Sequence, residues 1–153
     1  MRSRALLTTP LIGLLLGLPL AAPAQDSPPS GPPPGSPSQA MPGAMSAQEF
    51  DAYSLGKTFY YGAEGEAYGV EEYLPGRRVR WSFLDGDCKE GHWYEEAGNI
   101  CFVYEDQPDP QCWSFVQGGS GLTAYFQGGE GTVLYEMQSS SDPMQCKGPE
   151  VGV

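Results

Sequence analysis

The fold is decided by residues 78–104, whose sequence is RVRWSFLDGDCKEGHWYEEAGNICFVY. Near its start, Val79 and Trp81 alternate with polar residues, and near its end Ile100 and Phe102 alternate with Cys and Val. A period of two is the pattern of a β-strand that buries one face. Asp-Gly and Ala-Gly-Asn sequences separate these runs, and such residues favour tight turns. We therefore predict antiparallel strands joined by short turns.

The same pattern continues on both sides of this stretch, where short runs rich in the strand-forming residues Tyr, Phe, Trp, Val and Thr are separated by turn residues. Eight strands are predicted, near residues 57–61, 66–74, 78–84, 87–95, 99–104, 111–117, 121–126 and 132–138. The turns are predicted at Ala63-Glu64-Gly65, Pro75-Gly76, Asp85-Gly86, Ala97-Gly98-Asn99, Pro108-Asp109-Pro110, Gly118-Gly119-Ser120-Gly121 and Gly128-Gly129-Glu130-Gly131. Because every connection is short, consecutive strands should pair. The sequence predicts a mainly β protein, an antiparallel up-and-down meander that forms a small barrel or a strongly bent sheet.

One short helix is predicted before the first strand. Ser46 and Glu49 have the spacing of a capping box, in which each side chain accepts a hydrogen bond from the other residue's backbone N–H. Gly56 follows about two turns later and is a typical helix stop.

The chain begins with a pattern typical of exported proteins. Arg2 and Arg4 precede an apolar stretch, and small residues follow up to Ala24. This order is typical of a signal peptide, so residues 1–24 are predicted to be cleaved on export to the periplasm or the outside of the cell. The apolar core, residues 11–20, is well short of the ~20 residues that span a bilayer. We therefore expect no membrane span.

Composition divides the rest of the chain into two parts. Residues 25–45 are almost entirely Pro, Ser, Gly, Ala and Gln, which predicts a disordered linker because such a segment has little apolar surface to bury. Residues 46–153 are predicted to form a single β domain with one modest core.

The predicted mature chain is strongly acidic. It keeps six of the eight basic residues and all nineteen acidic ones, a net charge of −13. A surface of this sign repels nucleic acid, so nucleic-acid partners are not expected. Simple solubility explains the acidity, and capture of a cationic partner is the alternative. A monomer without a cofactor is expected.

The four cysteines predict two disulfides, because an even number in a small exported protein favours pairing. If Cys101 lies opposite Cys112 in a hairpin, Ile100, Phe102, Trp113 and Phe115 share the other face and should be buried together. Cys88 would then pair with Cys146 and attach the C-terminal tail to the barrel. No C-x-x-C pair is present, so neither a zinc nor a thioredoxin-type site is expected.

Three arginines stand close together around the start of the third predicted strand. Arg77, Arg78 and Arg80 carry half of the positive charge of the mature chain and could bind an anion. The favoured alternative is ordinary pairing with Glu71 and Glu72 across the intervening turn.

Aromatic residues and the single histidine complete the candidate ligand-binding set. Trp81, His92 and Trp93 lie in predicted strands beside the arginines. The high density of Trp and Tyr could line a ligand cavity, and the alternative is that the rings fill a small barrel.

Catalytic chemistry finds little support in this sequence. His92 has no identifiable nucleophile, so a hydrolase of the serine or cysteine type is not indicated. Paired carboxylates could serve a glycosidase, and the candidates are Glu71, Glu72, Asp85, Asp87, Glu90, Glu95 and Glu96. Sequence alone does not select a pair.

The order G-x-W, C-x-x-Y and C-W resembles a known family of small exported bacterial proteins, the domain of unknown function 995. The matching residues are Gly91-His92-Trp93, 99–104 and Cys112-Trp113. Residues 73–78 and 148–153 also resemble uncharacterised exported proteins of alphaproteobacteria. This resemblance implies an exported β protein and no particular activity.

The sequence thus predicts a non-enzymatic binding or interaction module for an unknown protein or small ligand. The leading alternative is an inhibitor-like protein that blocks an envelope or host enzyme with a loop, and the third is a hydrolase that uses paired carboxylates. A pocket lined by Trp and Tyr would favour ligand binding, whereas a filled interior with a protruding rigid loop would favour the inhibitor.

Overall fold

A closed barrel of eight antiparallel strands, each paired with its neighbours in sequence, makes up most of the molecule. The computed structural model describes residues 38–148. The elements are α1 (Ala47–Ser54), β1 (Thr58–Ala63), β2 (Glu66–Leu74), β3 (Arg78–Ser82), β4 (Lys89–Glu96), β5 (Asn99–Tyr104), β6 (Gln107–Gly118), β7 (Gly121–Phe126) and β8 (Val133–Ser140). A single 3₁₀ turn at Gln127–Gly129 joins β7 to β8. The predicted fold class is confirmed, and the predicted signal peptide lies outside the described residues.

Pairing of β1 with both β2 and β8 closes the barrel and leaves no free sheet edge. Alternate residues of each strand point inward, and they form one core of mostly aromatic side chains. The fully or nearly fully buried members include Phe59, Tyr61, Tyr73, Val79, Trp93, Ile100, Phe102, Phe115, Leu122 and Ala124. In residues 38–148, no helix has the length and apolar character of a membrane span.

The helix α1 covers one end of the barrel. Its predicted capping box is present, with Ser46 N–H donating to Glu49 Oε2 at 2.8 Å and Glu49 N–H donating to Ser46 Oγ at 3.3 Å. The helix ends before Gly56, which has a φ of +75° that glycine adopts without strain. Phe50 is fully buried and inserts among rings from β2, β4, β5 and β6, namely Tyr73, Trp93, Phe102 and Phe115.

The folded chain begins earlier than predicted. The predicted linker 25–45 is described from Ser38 onward, and this part lies against the barrel. The Asn99 side-chain amide donates to the Ser38 carbonyl at 2.6 Å, and Met45 N–H donates to the Phe115 carbonyl at 2.7 Å. Backbone groups make many of these bonds, so the Pro- and Gly-rich composition gave no sign of them. The part of the linker before Ser38 lies outside the described residues.

One predicted turn is wrong. The turn between β5 and β6 is Glu105-Asp106, and the strand pairs Tyr104 with Gln107 at its start. The predicted turn residues 108–110 belong to β6 and lie as a bulge opposite Val103. Proline is tolerated at a bulge because the ladder there does not need its missing N–H.

Both predicted disulfides are present. Cys101 and Cys112 are directly opposite each other with Cα atoms 4.0 Å apart, and Cys88 and Cys146 have Cα atoms 5.7 Å apart. Ile100, Phe102 and Phe115 are buried as expected, whereas Trp113 is only half-buried. The Cys88–Cys146 bond holds the C-terminal tail on the loop between β3 and β4, where Lys147 N–H also donates to the Gly86 carbonyl at 2.8 Å.

Candidate functional site

The barrel is open at the end opposite to α1, and a pocket leads from this opening into the interior. The cavity measures about 100 Å³, whereas one buried water needs roughly 10 to 15 Å³. Eight aromatic residues line it: Tyr61, Tyr68, Trp81, Phe83, Phe102, Tyr104, Trp113 and Phe115. The other lining residues are Glu71, Lys89, Asp106, Gln107, Gln111, Ala124 and Leu134. The pocket therefore has mainly aromatic walls that also carry five charged or amide side chains, and a mixture of apolar surface with placed polar groups is common in ligand sites.

Three rings form one rim of this pocket. The ring centres of Trp81 and Phe83 are 5.3 Å apart in an edge-to-face arrangement, and Tyr68 lies about 6 Å from both. Phe83 is 53% exposed and Tyr68 is 38% exposed. Large rings left in water at a pocket mouth are available to a ligand.

Glu71 supplies the polar group inside the pocket. It lies in the middle of β2, opposite Phe59 on β1 and Trp81 on β3, and its parity matches that of the buried Tyr73. Its side chain therefore points into the barrel, and the residue is 4% exposed. Burying a carboxyl group is costly unless hydrogen bonds replace the lost water.

Two tyrosines donate those hydrogen bonds, and a third tyrosine bonds to one of the two. Tyr104 donates to Glu71 Oε1 at 2.7 Å, and Tyr73 donates to Glu71 Oε2 at 2.9 Å. Tyr61 and Tyr73 hydroxyls are 2.9 Å apart. Since the Tyr73 proton is used by Glu71, Tyr61 is the donor in that pair. The three hydroxyls thus direct their protons along one network that ends at the carboxylate.

Burial raises the pKa of Glu71 to about 7, although the hydrogen bonds from Tyr104 and Tyr73 act in the opposite direction. Burial, with the neighbouring Glu71 charge, also raises the pKa of both tyrosines, so they remain donors. Because the Glu71 pKa is higher in the folded than in the unfolded chain, the folded state binds this proton more tightly. The stability contributed by Glu71 is therefore complete below about pH 4.5 and is lost as pH rises through 7.

An ion pair between Lys89 and Asp106 lies at the pocket mouth. The hydrogen bond that Lys89 donates to the Asp106 carboxylate raises the pKa of Lys89. Among residues 38–148, the basic side chains in salt bridges are Arg80, Lys89 and Lys147, and none of them pairs with Glu71. The cation nearest to the pocket is thus already neutralised.

The six predicted ligand-binding residues do not form one site. Trp81 lies in the pocket wall. Arg80 points outward and pairs with Glu72 at 3.3 Å and Glu90 at 2.6 Å, which confirms the predicted pairing with Glu72. Glu71, named with Glu72 as a partner, pairs with no arginine of residues 38–148, because its side chain points to the other face of β2.

The remaining candidates lie away from the pocket. Arg78 and His92 are directly opposite each other on the outer face of β3 and β4, and both are exposed. Trp93 is buried beneath α1, and the Arg77 guanidinium lies 4.5 Å from its ring centre. This cation–π contact lies at the covered end of the barrel, so Arg77 packs on Trp93 there while Arg80 pairs with Glu72 and Glu90 on the outer face.

The sequence interpretation missed Glu71 and its tyrosines as one polar cluster. A signal was available, because Glu71 has the same strand parity as Tyr73 and faces Trp81 in the register set by the intervening turn. Which other strands bring hydroxyl groups to the same point depends on closure of the barrel. Tyr61 and Tyr104 therefore had no sequence signal.

Comparison of the chain with protein-family models, with curated proteins and with solved structures found no match. The predicted resemblance to the domain of unknown function 995 stays a prediction.

Proposed function

We propose that this protein is an exported, non-enzymatic binding module whose barrel takes up a small, largely apolar ligand. The observation that carries the proposal is the open aromatic pocket with the buried carboxyl group of Glu71 in its interior. Ring faces supply binding free energy through apolar burial, and a buried polar group selects ligands that can hydrogen-bond to it.

Other features support a binding role over catalysis. The only histidine, His92, is on the outer face and cannot act as a base for a ligand in the pocket. The partners of Glu71 are tyrosine hydroxyls whose raised pKa keeps them protonated. The two disulfides and the predicted signal peptide support a periplasmic or secreted location.

An inhibitor-like role is the second candidate because of the loop between β3 and β4. Phe83 and Leu84 are 53% and 46% exposed there. The Cys88–Cys146 disulfide anchors the loop, and the Asp85 carboxylate accepts hydrogen bonds from Asp87 N–H at 2.9 Å and Ser82 Oγ at 3.1 Å. A rigid loop with apolar residues at its tip is a feature of protein-blocking surfaces.

Indole is a suitable probe of the pocket because the three tryptophans report on different places. We expect saturable NMR shifts of the indole N–H signals of Trp81 and Trp113, which line the cavity, and no shift of Trp93. Ala124→Leu places a larger side chain in the cavity and should weaken binding about tenfold or more. The matched control Ala67→Leu, at an exposed position, should bind as the wild type does.

Two results would contradict the proposal. One is the absence of any saturable shift of Trp81 and Trp113 at millimolar indole. The other is equal binding by folded Ala124→Leu and wild type. If the protein instead blocks an enzyme through Phe83 and Leu84, Phe83→Ala abolishes that inhibition while Ala124→Leu leaves it intact.

A further inference from the structure

We infer that the ligand carries an ammonium group that pairs with Glu71 while its apolar part lies among the rings of the pocket. This inference rests on the proposed binding function and names the ligand class for the same site. The probe compounds are therefore simple arylalkylamines.

The first observation is the missing counter-charge. Glu71 is nearly fully buried, and among the described residues its partners are hydroxyl groups and no cation. A desolvated carboxylate without a cationic partner is electrostatically unfavourable. A ligand ammonium in the pocket would supply the partner that the chain itself does not.

The second observation is the hydrogen-bonding capacity left on the carboxylate. Its two oxygens offer about four acceptor sites, and Tyr73 and Tyr104 use two of them. An ammonium group has three donors and no acceptor, so it matches the remaining capacity. A ligand carboxylate would be repelled, and a ligand hydroxyl would form a weaker, uncharged bond to the same oxygens.

The third observation is the chemistry of the pocket wall and of the surface outside it. Trp81 and Tyr68 present rings at the entrance, and aromatic faces attract cations. Lys89 at the mouth is neutralised by Asp106 and therefore opposes an incoming cation only weakly. The net charge of −11 for the whole chain also raises the local concentration of small cations.

A proton and an ammonium group compete for Glu71. Its pKa of about 7 means that the proton is present at mildly acidic pH and absent at mildly basic pH. The titratable groups around it are Tyr61, Tyr73 and Tyr104, whose pKa values are all raised by burial, and the Lys89–Asp106 ion pair lies at the mouth of the same pocket. Amine binding should therefore tighten as pH rises from about 5.5 to 8 and should release a proton from Glu71.

The test compares three probes that share a phenyl ring and differ in their polar group: 2-phenylethylamine, 2-phenylethanol and phenylacetate. At about pH 8 the amine should bind at least tenfold more tightly than the alcohol, since charge-assisted hydrogen bonds are the stronger ones. Glu71→Gln should abolish this difference. Glu72→Gln is the matched control, because it removes the neighbouring charge on the outer face of β2 and should preserve the difference.

The outcomes separate this inference from the proposed function. If the alcohol binds as tightly as the amine, or phenylacetate binds more tightly than the amine, the proposed ligand binding in the pocket stands and the ammonium inference is wrong. If no probe binds, both are wrong. Should Glu71→Gln fail to fold, the pH series with wild type decides: amine affinity that does not change between about pH 5.5 and 8 overturns the inference.

Discussion

Phe50→Ala is expected to lower the free energy of unfolding by about 3 to 5 kcal/mol, the range for removal of a fully buried large aromatic side chain. Phe50 is the part of α1 that enters the barrel, with its ring centre 4.4 Å from that of Phe115 and 5.3 Å from that of Trp93. Alanine would leave a cavity between the helix and four strands. Equilibrium unfolding in urea measures the loss.

The matched control for the helix is Leu55→Ala. Leu55 follows α1 and is 48% exposed, so its removal should change the free energy of unfolding by about 0.5 kcal/mol or less. A loss below about 1 kcal/mol for Phe50→Ala would mean that the helix does not close the barrel. Equal losses for both variants would have the same meaning.

Replacing Cys88 and Cys146 together with alanine is expected to lower the free energy of unfolding by about 4 kcal/mol in the chain-entropy model. The two cysteines are 58 residues apart in sequence, so their bond restricts a large part of the unfolded chain. The loss should be seen in urea unfolding of the double variant against the wild type under non-reducing conditions.

Lys147→Ala separates the covalent bond from the contacts beside it. Lys147 pairs with Asp87 at 3.1 Å, and both side chains are more than 60% exposed. Such a pair contributes roughly 0 to 1 kcal/mol, so this control should remain close to the wild type in stability. A double cysteine variant as stable as Lys147→Ala would contradict the expected effect of the bond.

The strands were predictable because their signals are local. Val79 and Trp81 alternate with outward residues and face the core, and Ala97-Gly98 adopts the positive φ angles that a tight turn needs. The Cys101–Cys112 pairing was predictable for a related reason: one hairpin register both joins the sulfurs and puts Ile100 and Phe102 on the buried face.

Other features depend on contacts between distant parts of the chain. The segment from Ser38 is held partly by backbone hydrogen bonds, which composition does not reveal. The arginine cluster was grouped by proximity in sequence, yet Arg78 and Arg80 point outward while Val79 between them points inward. The polar cluster around Glu71 needs tyrosines from β1, β2 and β5, which only the closed barrel brings together.

The titration of the Glu71 side-chain carboxyl carbon by NMR, with Glu71→Gln to assign its signal, tests most directly whether the pocket holds a buried carboxyl group. Burial predicts a midpoint at about 7, well above the ordinary value of 4.5. Stability of the wild type relative to Glu71→Gln should then fall as pH rises through that midpoint. A midpoint near 4.5 would contradict the desolvated carboxyl group on which the proposed ligand depends.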